Sequence, residues 1–194
     1  MLPLRLVVLI SGRGSNMVAI QQAITAGQLE ARIVAVISND ANAAGLIVAK
    51  KAGIPTDIIS HQDYDDRIQF DQALAQSVQR YAPDLVILAG FMRILTADFV
   101  AQFEGKLLNI HPSLLPAFKG LNTHQRAIDA KVTEHGATVH FVTAALDAGP
   151  ILLQTKVAVQ PDDDAKALAA RVLEQEHHLY PEAINHYIRH HLKQ

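Results

Sequence analysis

Long aliphatic runs alternate with amphipathic stretches through the first two thirds of the chain. Leu4-Arg5-Leu6-Val7-Val8-Leu9-Ile10 is an almost unbroken β-prone run, the pattern of a parallel strand buried on both faces. After "SGRGSN", Met17 to Ala26 reads as a helix stopped at Gly27, Ala31 to Ser38 as a strand, Asn42 to Lys51 as a helix stopped at Gly53, and Pro55 to Ser60 as a short strand. Asp63 to Tyr81 carries Ile68, Ala73, Leu74 and Val78 at helical spacing, and Pro83 precedes the buried run Leu85 to Leu88. Thr96 is placed to cap a short helix containing Phe99 and Val100; Lys106 to Ile110 follows as a strand and Thr123 to Lys131 as a helix.

Such alternation predicts an α/β fold: a Rossmann-like, mostly parallel twisted sheet flanked by helices. The pattern then changes. Thr138 to Val142 and Ile151 to Val159 are strand-like runs joined by a glycine-containing loop, which predicts an antiparallel C-terminal extension of the sheet. Asp162 to Asp164 supply acidic first-turn residues for a last helix from Ala165, interrupted at Pro181. With 194 residues and no repeat, low-complexity tract or linker, one domain over 1–194 is expected.

Composition narrows the classes. Apolar residues make up 49% of the chain and charged residues 19%, which excludes disorder. Seventeen basic against nineteen acidic residues give a net charge of -2 without a basic block, so a nucleic-acid partner is not expected. The absence of cysteine removes disulfides and thiolate metal sites and suits a reducing compartment. The run Leu4 to Ile10 is too short to span a bilayer. A soluble, cytoplasmic protein without membrane contact is expected.

"SGRGSN" lies between the first strand and the first helix, where glycine lets the backbone approach an anion and helix N-terminal amides donate to it. The dinucleotide fingerprint is not met, because Met17 stands at the third glycine position, and there is no P-loop lysine. Two readings stay open here: a phosphate site, or a tight turn with Ser15 or Asn16 as helix cap.

"LLNIHPSLLP" raises a sharper question. Asn109 and His111 are two apart at a strand end, so in extended backbone their side chains leave on one side, and Pro112 favours that backbone. An amide and an imidazolium donor can hold the oxyanion of a carbonyl under attack, and a nearby carboxylate would support the imidazole. The loop "DAGP" offers Asp147. No serine or cysteine elbow is present, so a covalent intermediate has little support. Each residue alone is accounted for by a strand end or a turn; the combination points to acyl-type transfer.

"NIHPSLLP" together with "HGATVHFV", "LDAGPILLQ", "LISGRGSN", "LAGFMRIL" and "QEHHLYP" resembles the folate-dependent formyltransferase family, in the branch whose acceptor is phosphoribosylglycinamide in purine synthesis. The resemblance covers nearly the whole chain. It implies transfer of the formyl group of the cosubstrate 10-formyltetrahydrofolate to the acceptor amine by direct attack. It further implies that Asn109, His111 and Asp147 are catalytic; that Gly14, Ser15 and Asn16 bind the substrate phosphate; and that Glu176 binds a ribose hydroxyl. The folate would meet Arg67, Met92, Arg93, Ile94 and Leu95, Asn109 itself, and Thr143, Ala144, Ala145, Leu146 and Asp147. The N-terminal half would then serve the ribonucleotide, and the C-terminal half the folate and the chemistry. Both partners are small molecules, and a monomer or weak homodimer is expected.

Departures from the branch's pattern are Phe118-Lys119, where an aromatic residue and proline are usual, Asn122 at a position commonly histidine, and Ala144-Ala145 in place of an acidic or polar pair. They bear on loop rigidity and folate affinity. Sister activities include methionyl-tRNA formyltransfer, which normally brings an additional C-terminal domain, and formyl-folate hydrolysis by a deformylase, with an added N-terminal one. A non-catalytic phosphate-ligand module of the same fold is a further alternative, which intact Asn109, His111 and Asp147 argue against. His186 and His190 lie four apart, but no zinc-hydrolase spacing occurs and no metal is expected.

Overall fold

In the computed structural model, which describes residues 2–191, the elements run β1 (Leu4–Ile10), α1 (Ser15–Thr25), β2 (Ala31–Ser38), α2 (Ala44–Lys51), β3 (Thr56–Ile58), a 3-10 turn (His61–Asp63) and α3 (Arg67–Arg80). They continue with β4 (Leu85–Leu88), α4 (Ala97–Gln102), β5 (Leu107–His111), α5 (Thr123–Asp129), β6 (Glu134–Phe141), β7 (Ile151–Ala158) and α6 (Ala165–His191). The strand order is β3-β2-β1-β4-β5-β6-β7. Contacts divide the chain into two compact units, Met1–Leu108 and Asn109–Gln194.

In the first unit β1 is central, with parallel pairing to β2 on one side and β4 on the other, while β3 pairs parallel with β2. Leu6, Val7, Val8, Leu9 and Ile10 are fully buried, which explains the unbroken apolar run: neither face of the strand meets water. Each such side chain stabilises the fold by about 1.5–3 kcal/mol. In the second unit β6 and β7 pair antiparallel, Glu134 opposite Ala158, and α6 packs against both. Gly136 lets the two strands close, since a Cβ there would lie 2.0 Å from the Thr155 carbonyl oxygen.

Several expectations are corrected. The α1 helix starts at Ser15 with Gly14 in the cap position and no side-chain cap bond, so neither Ser15 nor Asn16 is the cap. The α3 helix begins at Arg67, capped by the Asp66 carboxylate accepting from the Gln69 amide. Its buried face carries Phe70, Leu74 and Val78, while Ile68 is exposed. Asp164 precedes α6 rather than entering its first turn and accepts from the Ala167 amide at 2.7 Å. Finally, α6 continues through Pro181 to His191. Proline removes one helical hydrogen bond, and the burial of Tyr180, Pro181, Ala183 and Ile184 offsets that loss.

Candidate active site

The glycine loop leaves β1 at Ile10 and enters α1 at Ser15. Gly14 has φ 68°, the left-handed region that favours glycine. A Cβ on Gly14 would lie 3.2 Å from the Gly45 Cα, and one on Gly45 would lie 2.5 Å from the Ile10 Cδ1. The Gly45 amide donates to the Gly12 carbonyl at 3.0 Å. Two glycines from separate segments therefore press the loop onto the start of α2. With no side chain capping α1, its first-turn amides carry the positive end of the helix dipole and suit an anion.

In the second unit Asn109 and His111 stand on β5 with His111 buried. The Asp147 Oδ2 lies 3.4 Å from the His111 Nδ1, and Oδ1 lies 3.9 Å from the His140 Nε2. His140 closes the group: its Nδ1 donates to the Phe141 carbonyl at 2.9 Å, so its Nε2 accepts from the Asn109 side-chain amide at 3.3 Å. Burial pushes the His140 pKa down, which keeps that nitrogen an acceptor. Four side chains from two stretches of the sequence, 109–111 and 140–147, thus converge, three of them anticipated. The convergence of Asn109, His111 and Asp147 is what oxyanion stabilisation requires.

Asp147 is itself held. Its backbone sits at φ 46°, and its Oδ2 accepts from the Gly120 amide at 2.9 Å. Gly149 permits the turn, since a Cβ there would meet the Phe141 carbonyl oxygen at 1.8 Å.

Of the departures, Phe118-Lys119 and Asn122 lie in the loop that forms part of this support. The His111 Nε2 donates to the Phe118 carbonyl at 2.9 Å. The Phe118 ring meets His135 edge-on at 5.9 Å and carries the Arg126 guanidinium 5.6 Å from its centre. Arg126 also donates to the Lys119 carbonyl at 2.6 Å, and Ser113 to that of Ala117 at 2.6 Å. Asn122 takes φ 57°, which asparagine tolerates better than most residues. Beneath the loop, His135 and His124 share a hydrogen bond at 3.2 Å. Burial, then the neighbouring His124, pushes the His135 pKa down to about 4.

The remaining anticipated residues fall as follows. Arg67 is exposed at the start of α3. Met92 and Ile94 are exposed by 69% and 61%, while Phe91 beside them is buried; Arg93 and Leu95 are half-buried. Thr143, Ala144, Ala145 and Leu146 are exposed before Asp147. Glu176 is buried on α6, unlike an ordinary solvated glutamate, and adds to the elevation of the Tyr180 pKa that burial begins. His140 and Gly45 were missed. The alternation of β6 places Thr138 and His140 on one face, a signal that pointed to His140; Gly45 had none. Among the described residues no cluster of three or more His, Cys, Asp or Glu could hold a metal ion, and no helix is long and apolar enough to cross a membrane.

An imidazole, an amide and a carboxylate thus converge at the end of a buried strand in a seven-stranded α/β sheet, an arrangement suited to chemistry at a carbonyl carbon. The formyl transferase family profile matches residues 4–184, and the chain belongs to that family. It is 48% identical over 182 residues to the phosphoribosylglycinamide formyltransferase of Escherichia coli, covering 94% of this chain and 86% of that one. It is also 48% identical to the Haemophilus influenzae enzyme of the same name, covering 91% and 84%. The crystal structure of phosphoribosylglycinamide formyltransferase from Brucella melitensis superposes with a TM-score of 0.91 at 48% identity, covering 95% of each chain.

Proposed function

We propose that this chain transfers the formyl group of 10-formyltetrahydrofolate to the amine of phosphoribosylglycinamide, giving phosphoribosyl-N-formylglycinamide and tetrahydrofolate. The observation that carries the reading is the convergence of Asn109, His111 and Asp147, completed by His140. The identity to relatives named for this reaction supports the choice of substrates.

The neutral acceptor amine adds to the formyl carbon. Asn109 and His111 donate to the oxygen that becomes negative, each such donor being worth about 3 kcal/mol of barrier. Asp147 orients the His111 ring, its Oδ2 lying 3.4 Å from the His111 Nδ1. The proton lost by the amine reaches the folate nitrogen as its bond to carbon breaks. Gly14, Ser15 and Asn16 take the substrate phosphate at the uncapped start of α1, and Glu176 takes a ribose hydroxyl. Arg67, Met92–Leu95 and Thr143–Asp147 receive the folate, with backbone groups and apolar side chains supplying much of the recognition. The enzyme acts in the cytoplasm as a monomer or weak homodimer, which sedimentation at micromolar concentration tests.

The decisive assay follows the absorbance change on deformylation of the folate as phosphoribosylglycinamide is added. Turnover should require the acceptor and yield one formylated product per folate consumed. Equal release of formate without acceptor would replace this reading with hydrolysis.

A further inference from the structure

Ser11 belongs to the glycine loop by sequence, yet its hydroxyl is engaged elsewhere. It accepts from the Met92 backbone amide at 2.8 Å and donates to the Asn39 Oδ1. Asn39, buried at the end of β2, passes the chain on: its side-chain amide donates to the His61 Nδ1 at 3.4 Å. The direction of every bond is fixed. A backbone amide only donates, so the Ser11 oxygen accepts from it and its own hydrogen goes to Asn39; the Asn39 nitrogen then has only its hydrogens to offer His61. Four segments that follow β1, β2, β3 and β4 are joined in one line, Met92 to Ser11 to Asn39 to His61.

The segment so held has no regular secondary structure. From Phe91 to Thr96 there is neither helix nor strand, and Met92 and Ile94 are exposed. Side chains pin it at two points: Ser11 takes the Met92 amide, and Asp71 of α3 takes the Thr96 amide through Oδ2. An exposed irregular segment pinned at both ends is what a site needs when backbone groups and apolar side chains must meet a planar ligand at fixed spacing.

We propose that Ser11 is a positioning residue for the folate, setting the place of Met92–Leu95 through the hydrogen-bonded line to Asn39 and His61, and is not a phosphate ligand despite its place in the glycine loop. This rests on the assignment of Met92–Leu95 to the folate. It divides "SGRGSN" between two tasks: its first residue steers one cosubstrate while Gly14, Ser15 and Asn16 take the phosphate of the other.

The test is steady-state kinetics on Ser11→Ala with both substrates varied. The KM for 10-formyltetrahydrofolate should rise about three- to tenfold, the loss of one hydrogen bond, while the KM for phosphoribosylglycinamide stays within about twofold. Asn39→Ala should raise the same KM, and the double variant should be no worse than Ser11→Ala alone, because the two act in one line. If Ser11→Ala fails to fold, Ser11→Cys, close in volume but poor at both bonds, reads out the same split. A rise in the KM for the ribonucleotide instead, no change in either KM, or fully additive effects of the two substitutions would overturn the proposal. Ile94→Ala separates the two levels. If it raises the folate KM while Ser11→Ala does not, the positioning role fails and the folate assignment stands; if it leaves the folate KM unchanged, the assignment itself fails.

Discussion

The glycine loop after β1 and the cluster at the end of β5 solve the same problem by opposite means. Both sit where a buried strand ends and, in the proposed function, present polar groups to a ligand. The loop does so with backbone: Gly14 at φ 68°, Gly45 pressed against it and an uncapped helix start. The β5 cluster does so with side chains, and each is oriented by another: His140 turns the Asn109 amide, Asp147 turns the His111 ring, and Gly120 holds Asp147. A backbone site needs little beyond the absence of side chains, whereas a side-chain site needs a partner for every polar atom.

That contrast can be broken at several points. The largest effect belongs to His111→Ala, expected to lower kcat by about 10²–10³ while leaving ribonucleotide binding near its starting value by calorimetry; unchanged turnover would remove the imidazole from the mechanism. Next, Gly14→Ala, which forces a Cβ into left-handed backbone and toward Gly45, should raise the KM for phosphoribosylglycinamide about tenfold with a smaller change in kcat. An equal loss in kcat would mean that the loop serves the chemistry as well as the phosphate. His140→Phe, which keeps a ring but no acceptor for the Asn109 amide, should lower kcat about threefold to tenfold without raising the ribonucleotide KM.

The smallest effect separates the regions by pH. The folded His135 pKa, about 4, lies below its ordinary value of 6.5. The unfolded chain therefore binds the proton more readily, and this group's contribution to stability is whole above pH 6.5 and lost as pH falls toward 4. The melting temperature should drop over that window, by roughly 2–4 °C for each kcal/mol lost, and His135→Phe should flatten the slope. A slope that persists in the variant would assign the acid sensitivity to other groups.

The two regions were also unequally legible. Unbroken runs such as Leu4–Ile10, Ala31–Ser38 and Leu85–Leu88 were read to the residue, because burial on both faces leaves no other pattern. Asn109, His111 and Asp147 were legible as residue types whose chemistry fits together, although only folding brings them within reach of one another. Gly45 was invisible, since its reason for being glycine is the Ile10 side chain and the Gly12 and Arg13 carbonyls. The passage of α6 through Pro181 was misjudged for a related reason: local propensity argued for a break, and burial along the helix, from Leu168 to Ile188, outweighed it. Local rules failed where a distant neighbour decided the conformation.

The bond from the His111 Nε2 to the Phe118 carbonyl carries a last consequence. An oxygen of the reacting carbonyl that recruits this hydrogen competes with an acceptor the protein already supplies, so the benefit of making the new contact is net of giving up the old one. Such an exchange favours an oxygen bearing full charge over a neutral carbonyl, since charge-assisted hydrogen bonds are about twice as strong as neutral ones. Under the proposed mechanism the resident carbonyl acts as a threshold, ceding its hydrogen most readily when the incoming oxygen has become an anion.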